Sequence, residues 1–465
     1  MRAATRRVRH YPRVSERRIR CALLTVPGSL YDAELTLACP GLELVALTPS
    51  AVGLTGRQTA VGKGRGAFDP LEKANPFALP EDDAADVVLI ESHWYRLAAA
   101  RHPERVGEVM RNLERRATLL VGLDADQFAL GFPPSALERL GVVIEFDGVY
   151  RDRDLYNYFV GCRYPGANWT EKLRPRPSRY RASDLDKLRL SVPCFMRDLP
   201  VIRRAARARL SRAAGPKGTS MSRTQQMGRD LGEALLVSAF GLAGCRGRPL
   251  EVNCLVAPTH PQRIDAVRLL EGFSGRRGIL VHGVEREPDA AAGEAETGGG
   301  QGDEGDDGPH YYMEWIEAWS PRLTSAKLQE WRALLASAKP FAREPVSRLR
   351  YLLELRLHQV AVAPTGYGEL TYRHGEALMT GAALVCQDLS HVEMMFPFAD
   401  RENVAFCRPD LSDLRSTVEE LVRDADQRRR IAREGRRTYT AWAARWRKHL
   451  YDGIERHIRE ALSSR

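Results

Sequence analysis

Apolar residues recur along the chain in short runs of strand length, and Pro or Gly ends the first two of them. In the first half of the chain these runs begin at Ile19, Leu42, Ala85, Thr118 and Val142. The run from Ala85 to Trp94 is apolar enough to be buried on both faces. Apolar side chains between the third and fourth runs recur at helical spacing. The pattern predicts strands that alternate with helices, and hence a parallel sheet covered on both faces.

A second alternation begins at Leu250. Its predicted strands are Leu250 to Pro258, Arg277 to Gly283, Leu357 to Pro364 and Ala383 to Gln387, with helices between them. A chain of 465 residues is too long for one ordinary core. The pattern predicts an α/β protein with two Rossmann-like domains, at residues 19–249 and 250–440. A basic flexible tail at 1–18 and a C-terminal helix at 441–465 flank them.

Residues 285–308 interrupt the second domain. This segment is acidic, rich in Gly and nearly free of large apolar side chains. It cannot bury enough surface to offset the entropy of ordering, so we expect a disordered insertion.

The composition excludes some classes of protein. The eight cysteines are scattered without a CxxC pair, which indicates a reducing compartment and predicts the cytoplasm. Membrane-spanning helices need about 18 consecutive apolar residues, and no stretch approaches that length. The net charge is +10, and part of the excess lies in the N-terminal tail. We expect a solvated tail, with contact to a nucleic acid or to an anionic membrane surface left open. Nucleic acid is disfavoured because the basic helical stretch carries few aromatics.

Candidate chemistry is concentrated in the stretch "VAVAPTGYGELTYRHGEALMTGAALVCQD", Val360 to Asp388. A strand leads into a glycine-rich turn and then a helix, and Gly366 and Gly368 allow close backbone approach to a ligand. The start of a helix presents free N–H groups suited to a diphosphate. A carboxylate one turn later can accept hydrogen bonds from a ribose diol. The alternative is a loop and helix whose glutamates are merely solvated.

This stretch and the sequence after it resemble a known family. The resemblance covers about 80 residues and runs through "HVEMMFPFADRENVAFCRPDLSDLRSTVEELVRDADQRRRIAREGRRTY". It is to the C-terminal half of "group 1" glycosyltransferases of the GT-B architecture, in particular the CgeB-like branch. The positions that fill the family pattern are Arg373, Glu376, Ala377, Gly381, Glu393, Asn403 and Phe406.

The resemblance implies two Rossmann-like domains that face each other across a cleft, with the nucleotide-sugar donor mostly in the second. Glu376 would then bind the donor ribose, and Arg373 would offset the diphosphate charge. Many members carry a further glutamate eight positions before the ribose ligand. Here that position is Gly368, and Glu369 lies one residue later, where a shifted turn would bring its carboxylate to the donor.

Two candidates for chemistry lie in the first domain. His93 ends the third predicted strand, where it could position the donor sugar or act as a base on an acceptor hydroxyl. The alternative is a structural or exposed histidine. Asp124 and Asp126 follow the fourth strand, where contact with the acceptor or capping of the loop is favoured over metal binding.

Two more candidates precede a helix in the second domain. Thr259 and Arg263 follow the strand at Leu250, where phosphate oxygens could meet a helix N-terminus. The alternative is that Arg263 is solvated.

We therefore predict a glycosyltransferase, hexosyltransferase-like, that moves a sugar from a nucleoside-diphosphate sugar to a hydroxyl acceptor. The acceptor would be a glycan, a lipid-linked molecule or a small molecule. No resident cofactor and no metal are expected, because orientation and charge stabilisation suffice for this transfer. The alternatives are a non-catalytic nucleotide- or glycan-binding protein of the same fold and a polyanion-binding protein.

Overall fold

The fold rests on two parallel sheets of six strands each. The computed structural model describes residues 17–25, 31–47, 85–101, 103–124, 131–146, 148–157, 179–214, 247–256, 261–280, 333, 336, 339–343, 346, 348–365 and 369–465. The two sheets confirm the predicted α/β fold with two Rossmann-like units. The predicted insertion at 285–308 and all but the last two residues of the predicted tail lie outside the described residues.

The first sheet has the strand order β2-β1-β3-β4-β5-β7, and all neighbours are parallel. Its strands are β1 (Ile19–Leu24), β2 (Leu42–Leu47), β3 (Ala85–Glu91), β4 (Ala117–Asp124), β5 (Val142–Glu145) and β7 (Leu188–Leu190). Alternate side chains of β3 enter different hydrophobic clusters: Val87 and Leu89 pack on one face, Val88 and Ile90 on the other. Burial on both faces explains the continuous apolar run.

The helices of the first unit connect and cover these strands. They are α1 (Tyr31–Leu37), α2 (Ser92–Arg101), α3 (Pro103–Arg116), α4 (Pro134–Leu137), α5 (Ala182–Leu185) and α6 (Pro200–Ala214), with 3₁₀ turns at Arg153–Asn157 and Cys194–Asp198. The third strand ends at Glu91 rather than Trp94, because α2 begins directly after it.

The second sheet has the order β10-β9-β8-β11-β12-β14, again with parallel neighbours. Its strands are β8 (Leu250–Val256), β9 (Gly275–Leu280), β10 (Ala342–Arg343), β11 (His358–Ala363), β12 (Ala383–Gln387) and β14 (Ala405–Cys407). The chain adds β9 and β10 on one side of β8 and the remaining strands on the other. The direction of winding therefore reverses between β8 and β11.

The second unit and the C-terminal segment supply the other helices. They are α7 (Pro261–Leu269), α8 (Arg348–Arg356), α9 (Tyr372–Thr380), α10 (Leu414–Arg423), α11 (Ala425–Ala443), α12 (Trp446–Leu450) and α13 (Arg456–Ser463), with a 3₁₀ turn at Lys339–Phe341 and a π turn at Tyr451–Glu455. The predicted domain bound at residue 440 falls within α11. None of the described helices is long and apolar enough to cross a membrane.

The two units meet at a junction that includes a small sheet. Strand β6 (Val149–Tyr150) follows the first unit's β5, and it pairs antiparallel with β13 (Val392–Glu393), which follows the second unit's β12. Phe195 also packs against α9 at Gly375, where an added Cβ would lie 2.7 Å from the Phe195 side chain. Glycine is therefore needed at this point of close approach.

The C-terminal segment returns to the first unit. Helix α13 packs against β4 and β5. The buried carboxylate of Glu455 accepts a 2.9 Å hydrogen bond from the backbone N–H of Gly41. Arg465 donates a 2.9 Å hydrogen bond to the carbonyl of Thr118. The first sheet is thus partly covered by residues from the far end of the chain.

Candidate functional site

The candidate site lies at the reversal point of the second sheet, at the carboxyl ends of β8 and β11. In open α/β sheets, ligands bind in the crevice that forms at such a point. Helix α7 follows β8, and α9 follows β11. Arg263, from the first turn of α7, donates from Nε a 3.0 Å hydrogen bond to the carbonyl of Thr365, just beyond β11. This bond joins the two sides of the crevice.

A buried network of amides forms the floor of this crevice. The backbone N–H of Thr365 donates to Oε1 of Gln387 at 2.8 Å, and the Thr365 hydroxyl donates to Gln262 at 3.1 Å. Gln387 in turn donates to Gln262 at 3.2 Å and to the carbonyl of Pro409 at 2.7 Å. The floor is thereby fixed by bonds between the ends of two strands and α7. Sequence reasoning missed both glutamines, because no local pattern marks a partner more than 100 residues away.

Arg373 is the second residue of α9. Its guanidinium carbon lies 5.2 Å from the centroid of the Tyr351 ring, which is cation–π geometry. Its Nη1 is buried and has no hydrogen-bond partner among the described residues. A buried cationic donor without a partner is costly, and an anionic ligand would satisfy it.

Two buried groups show that Arg263 and Arg373 act on the same space. Burial lowers the pKa of His374 to about 4, and both guanidinium groups act in the same direction. Burial raises the pKa of the Cys254 thiol to about 11, and the same two cations oppose that rise. Both cations therefore lie within electrostatic range of His374 at the start of α9, and cations beside a helix N-terminus favour binding of a diphosphate.

Local sequence explains the shape of α9. At its start, Nδ1 of His374 accepts a 3.0 Å hydrogen bond from the backbone N–H of Thr371, the residue before the helix. At its end, Gly381 adopts a left-handed conformation with φ of 72°. Glycine adopts that conformation without steric cost, so Gly381, a residue of the family pattern, ends the helix.

Glu376 lies one turn beyond Arg373 and is 8% exposed. Its Oε1 accepts a 3.1 Å hydrogen bond from Nη1 of Arg348, at the start of α8. Burial raises the pKa of the Tyr351 hydroxyl, the charge of Arg373 opposes that rise, and the charge of Glu376 adds to it. The predicted ribose ligand is therefore held in place by α8. A ribose would have to share the carboxylate with Arg348.

Glu369 is fully buried, and its predicted contact with the donor stays a prediction. Its Oε1 lies 2.9 Å from Nε2 of His391, a residue that follows β12. The His391 ring also stacks on Tyr150 of the first unit, with ring centroids 6.0 Å apart. The sequence did not single out His391, because its partners come from other strands of both sheets.

Asp124 ends β4 and is fully buried. Its Oδ2 accepts a 2.5 Å hydrogen bond from the backbone N–H of Gly131, so the carboxylate holds the start of the next segment. Contact between Asp124 and an acceptor stays a prediction.

For five other predicted site residues, the side-chain surroundings lie outside what the structure describes. Asp126, Thr259, Gly366 and Gly368 lie outside the described residues. His93 lies in the first turn of α2, directly beyond the carboxyl end of β3, but its side chain is likewise outside the described set. Their predicted roles stay predictions.

Other residues of the family pattern make structural contacts within the second unit or across the junction. Asn403 donates from Nδ2 to the carbonyl of Pro397 at 2.7 Å and accepts from the N–H of Ala399 at 2.9 Å. Glu393 pairs with Arg153 across the junction at 3.1 Å. The pattern thus combines residues near the crevice with residues that fix the fold.

The fold and the crevice define a GT-B-like α/β protein, and a family comparison agrees. Residues 317–450 match the family described as "Glycosyl transferase-like". This match confirms the resemblance to glycosyltransferases in this part of the chain, whereas the CgeB-like branch stays a prediction. No curated protein matches the chain.

Two solved structures are similar over most of the chain. HepE from Anabaena, in complex with UDP-glucose, is 11% identical with a TM-score of 0.40, covering 94% of this chain and 100% of its own. The α,α-trehalose 6-phosphate synthase from Burkholderia multivorans is 10% identical with a TM-score of 0.36, covering 82% of this chain and 72% of its own.

Proposed function

We propose that this protein is a glycosyltransferase that moves a sugar from a nucleoside-diphosphate sugar to a hydroxyl acceptor. The observation that carries the proposal is the buried Nη1 of Arg373, which has no partner among the described residues. It lies in the first turn of a helix that follows a strand at the reversal point. The family match over residues 317–450 supports glycosyl transfer as the reaction.

The donor would bind with its diphosphate between Arg263 and Arg373. Together with the N–H groups at the start of α9, these side chains would stabilise the negative charge on the departing diphosphate. Glu376 lies one turn further along α9, so its carboxylate would accept hydrogen bonds from the ribose hydroxyls. The sugar would then extend toward the junction with the first unit, where the acceptor would bind.

Isothermal titration calorimetry with UDP, GDP and ADP tests the donor assignment. We expect one of them to bind, and Glu376→Ala to weaken that nucleotide's affinity about tenfold, or ~1.4 kcal/mol. Glu419→Ala is the matched control, because Glu419 pairs with Arg415 on the exposed face of α10. Equal affinities for wild type and Glu376→Ala would overturn the ribose assignment.

Release of nucleoside diphosphate separates a transferase from a binding protein. With sugar nucleotides and water as the acceptor, a transferase slowly releases nucleoside diphosphate, whereas a non-catalytic binder releases none. A thermal-shift screen of sugar nucleotides would identify the donor, because a bound ligand raises the melting temperature. A hexosyl donor and a cytoplasmic location remain part of the proposal.

A further inference from the structure

His391 lies where three strand ends from both sheets come together. It follows β12 by four residues, its Nε2 contacts Glu369 beyond β11, and its ring stacks on Tyr150 beyond β5. The Glu369 carboxylate is fully buried, whereas the His391 side chain is 18% exposed. The imidazole is thus anchored from within and reaches the surface at the junction.

The backbone fixes this imidazole from the first unit as well. The N–H of Arg151 donates a 3.0 Å hydrogen bond to the carbonyl of His391. The next residue, Val392, pairs with Tyr150 in the small β6–β13 sheet. The ring planes of Tyr150 and His391 are inclined by only 24°. Because both units hold the residue, its position depends on the domain arrangement that also positions the two substrates.

A histidine held by a buried carboxylate is suited to accept a proton. The carboxylate accepts the Nε2–H hydrogen bond, which selects the tautomer whose Nδ1 is basic, and it stabilises the imidazolium. Burial by itself lowers the pKa of His391, but the hydrogen bond and charge of Glu369, with the charge of Asp388, outweigh it and raise the pKa. From the first unit, Tyr150 stacks on the ring, and the Arg151 side chain donates to the carbonyl of Ser390, the residue before His391.

We propose that His391, oriented by Glu369, is the base that takes the proton from the acceptor hydroxyl, the role predicted for His93. This step rests on the proposed function. The acceptor O–H proton passes to Nδ1 of His391 while the acceptor oxygen bonds to the anomeric carbon. The bond from that carbon to the diphosphate oxygen breaks, and the nucleoside diphosphate leaves with the electron pair. Glu369 acts as the positioning residue.

The test follows nucleoside diphosphate release from UDP-glucose, GDP-mannose and ADP-glucose against pH, with water as the acceptor. A base must be unprotonated, so activity rises through its pKa. We expect His391→Asn to lower kcat about 100-fold or more while nucleotide affinity, measured by calorimetry, changes little. Glu369→Gln should move the midpoint of the acidic limb to lower pH, because it removes the carboxylate that raises the pKa.

Tyr150→Leu separates catalysis from a purely structural role. It removes the stacking contact but leaves the Glu369–His391 pair, so it should lower the melting temperature without moving the pH midpoint. If His391→Asn keeps kcat within about threefold of wild type, or if Glu369→Gln leaves the midpoint unmoved, the base assignment is overturned. A midpoint that moves equally in Tyr150→Leu and Glu369→Gln also overturns it. Should His391→Asn fail to fold, Glu369→Gln alone decides.

The proposed function fails in a different way. If wild type neither binds UDP, GDP or ADP nor releases nucleoside diphosphate from the three sugar nucleotides, both proposals are overturned. If wild type releases nucleoside diphosphate but the His391 and Glu369 variants match it, the transferase stands and only the base assignment is lost.

Discussion

The two sheets reverse their winding in the same way, but the polar side chains at the two reversal points differ in their hydrogen-bond partners. In the first sheet, between β1 and β3, the Thr25 hydroxyl donates to the Glu91 carboxylate, and both side chains are buried. In the second, Arg263 bridges to Thr365, while Nη1 of the nearby Arg373 is left without a partner among the described residues. At the first reversal point, the described side chains bond to each other. The other keeps hydrogen-bonding capacity that a ligand can use.

The sign of the charge differs as well. Buried acids end three neighbouring strands of the first sheet: Glu91, Asp124 and Glu145. At the second sheet, the cations Arg263 and Arg373 stand at the equivalent edge. The same fold therefore supplies an anionic edge that holds its own loops and a cationic edge suited to a diphosphate. At the second edge, the buried Nη1 of Arg373 carries a desolvation cost that binding of an anion would remove.

The largest expected effect is a loss of folding stability when an acid at the strand ends of the first sheet is removed. Asp124→Ala should lower the free energy of unfolding by about 3 kcal/mol, because it removes a buried, charge-assisted hydrogen bond to Gly131. Nucleotide affinity should stay unchanged. Urea denaturation and calorimetry check the two parts. The control is Glu138→Ala, whose exposed ion pair with Arg181 contributes less than about 1 kcal/mol. Lost nucleotide affinity with intact stability would break the comparison.

At the strand ends of the second sheet, we expect a substitution to weaken nucleotide binding and to leave stability nearly unchanged. Arg373→Ala should weaken nucleoside diphosphate binding about tenfold, or ~1.4 kcal/mol, with little change in melting temperature without ligand. Arg373→Lys should recover part of the affinity, because it keeps the charge but not the planar fork of donors. Calorimetry and thermal melting measure both. Arg433→Ala, on the exposed face of α11, is the control for loss of a surface cation. Affinity equal to wild type in Arg373→Ala would show that the cationic edge binds no diphosphate.

The smallest expected effect is the pH dependence of stability that arises from His374, and it tests whether the second sheet's edge is cationic. The pKa of His374 is about 4 in the folded protein, against about 6.5 when unfolded, so the unfolded chain binds more protons below pH 6.5. Stability should therefore fall as pH falls, by about 0.7 kcal/mol between pH 7 and 6 for this group. Urea denaturation at both pH values measures the loss.

His374→Gln should reduce that loss. Glutamine at this third helical position can still accept the hydrogen bond from the N-cap residue Thr371, but it cannot titrate. Saturating nucleoside diphosphate should also reduce the loss in wild type, because a bound anion offsets the two cations that disfavour the imidazolium. An equal loss in wild type and variant would show that the second edge does not hold His374 neutral.

Local pattern predicted the framework of this molecule well. The strands at Ile19, Ala85, Leu250 and Ala383 are apolar because both faces of a parallel sheet are buried, and sequence alone carries that signal. The predicted strand at Arg277 begins two residues earlier, at Gly275, because backbone pairing with β8 decides the boundary.

The partners of the site residues could not be predicted in the same way. Arg348 holds Glu376 from 28 residues away, and His391 holds Glu369 from 22 residues away. The pairing of β6 with β13 joins segments from different sheets. Such contacts follow from how elements pack in space, and periodicity describes only one element at a time. The family pattern identified Arg373 and Glu376 but gave no sign of the imidazole at the junction.

The return of the C-terminal segment to the first unit has a consequence for synthesis. Gly41 bonds to a residue 414 positions later, and the Cys39 thiol contacts the Leu450 carbonyl across 411 positions. When the first sheet leaves the ribosome, the segment that covers part of it has not yet been translated. Until residues 446–465 have been translated, the first unit lacks the apolar cover that Leu450, Ile454 and Ile458 supply in the folded protein, and such surface is prone to aggregation.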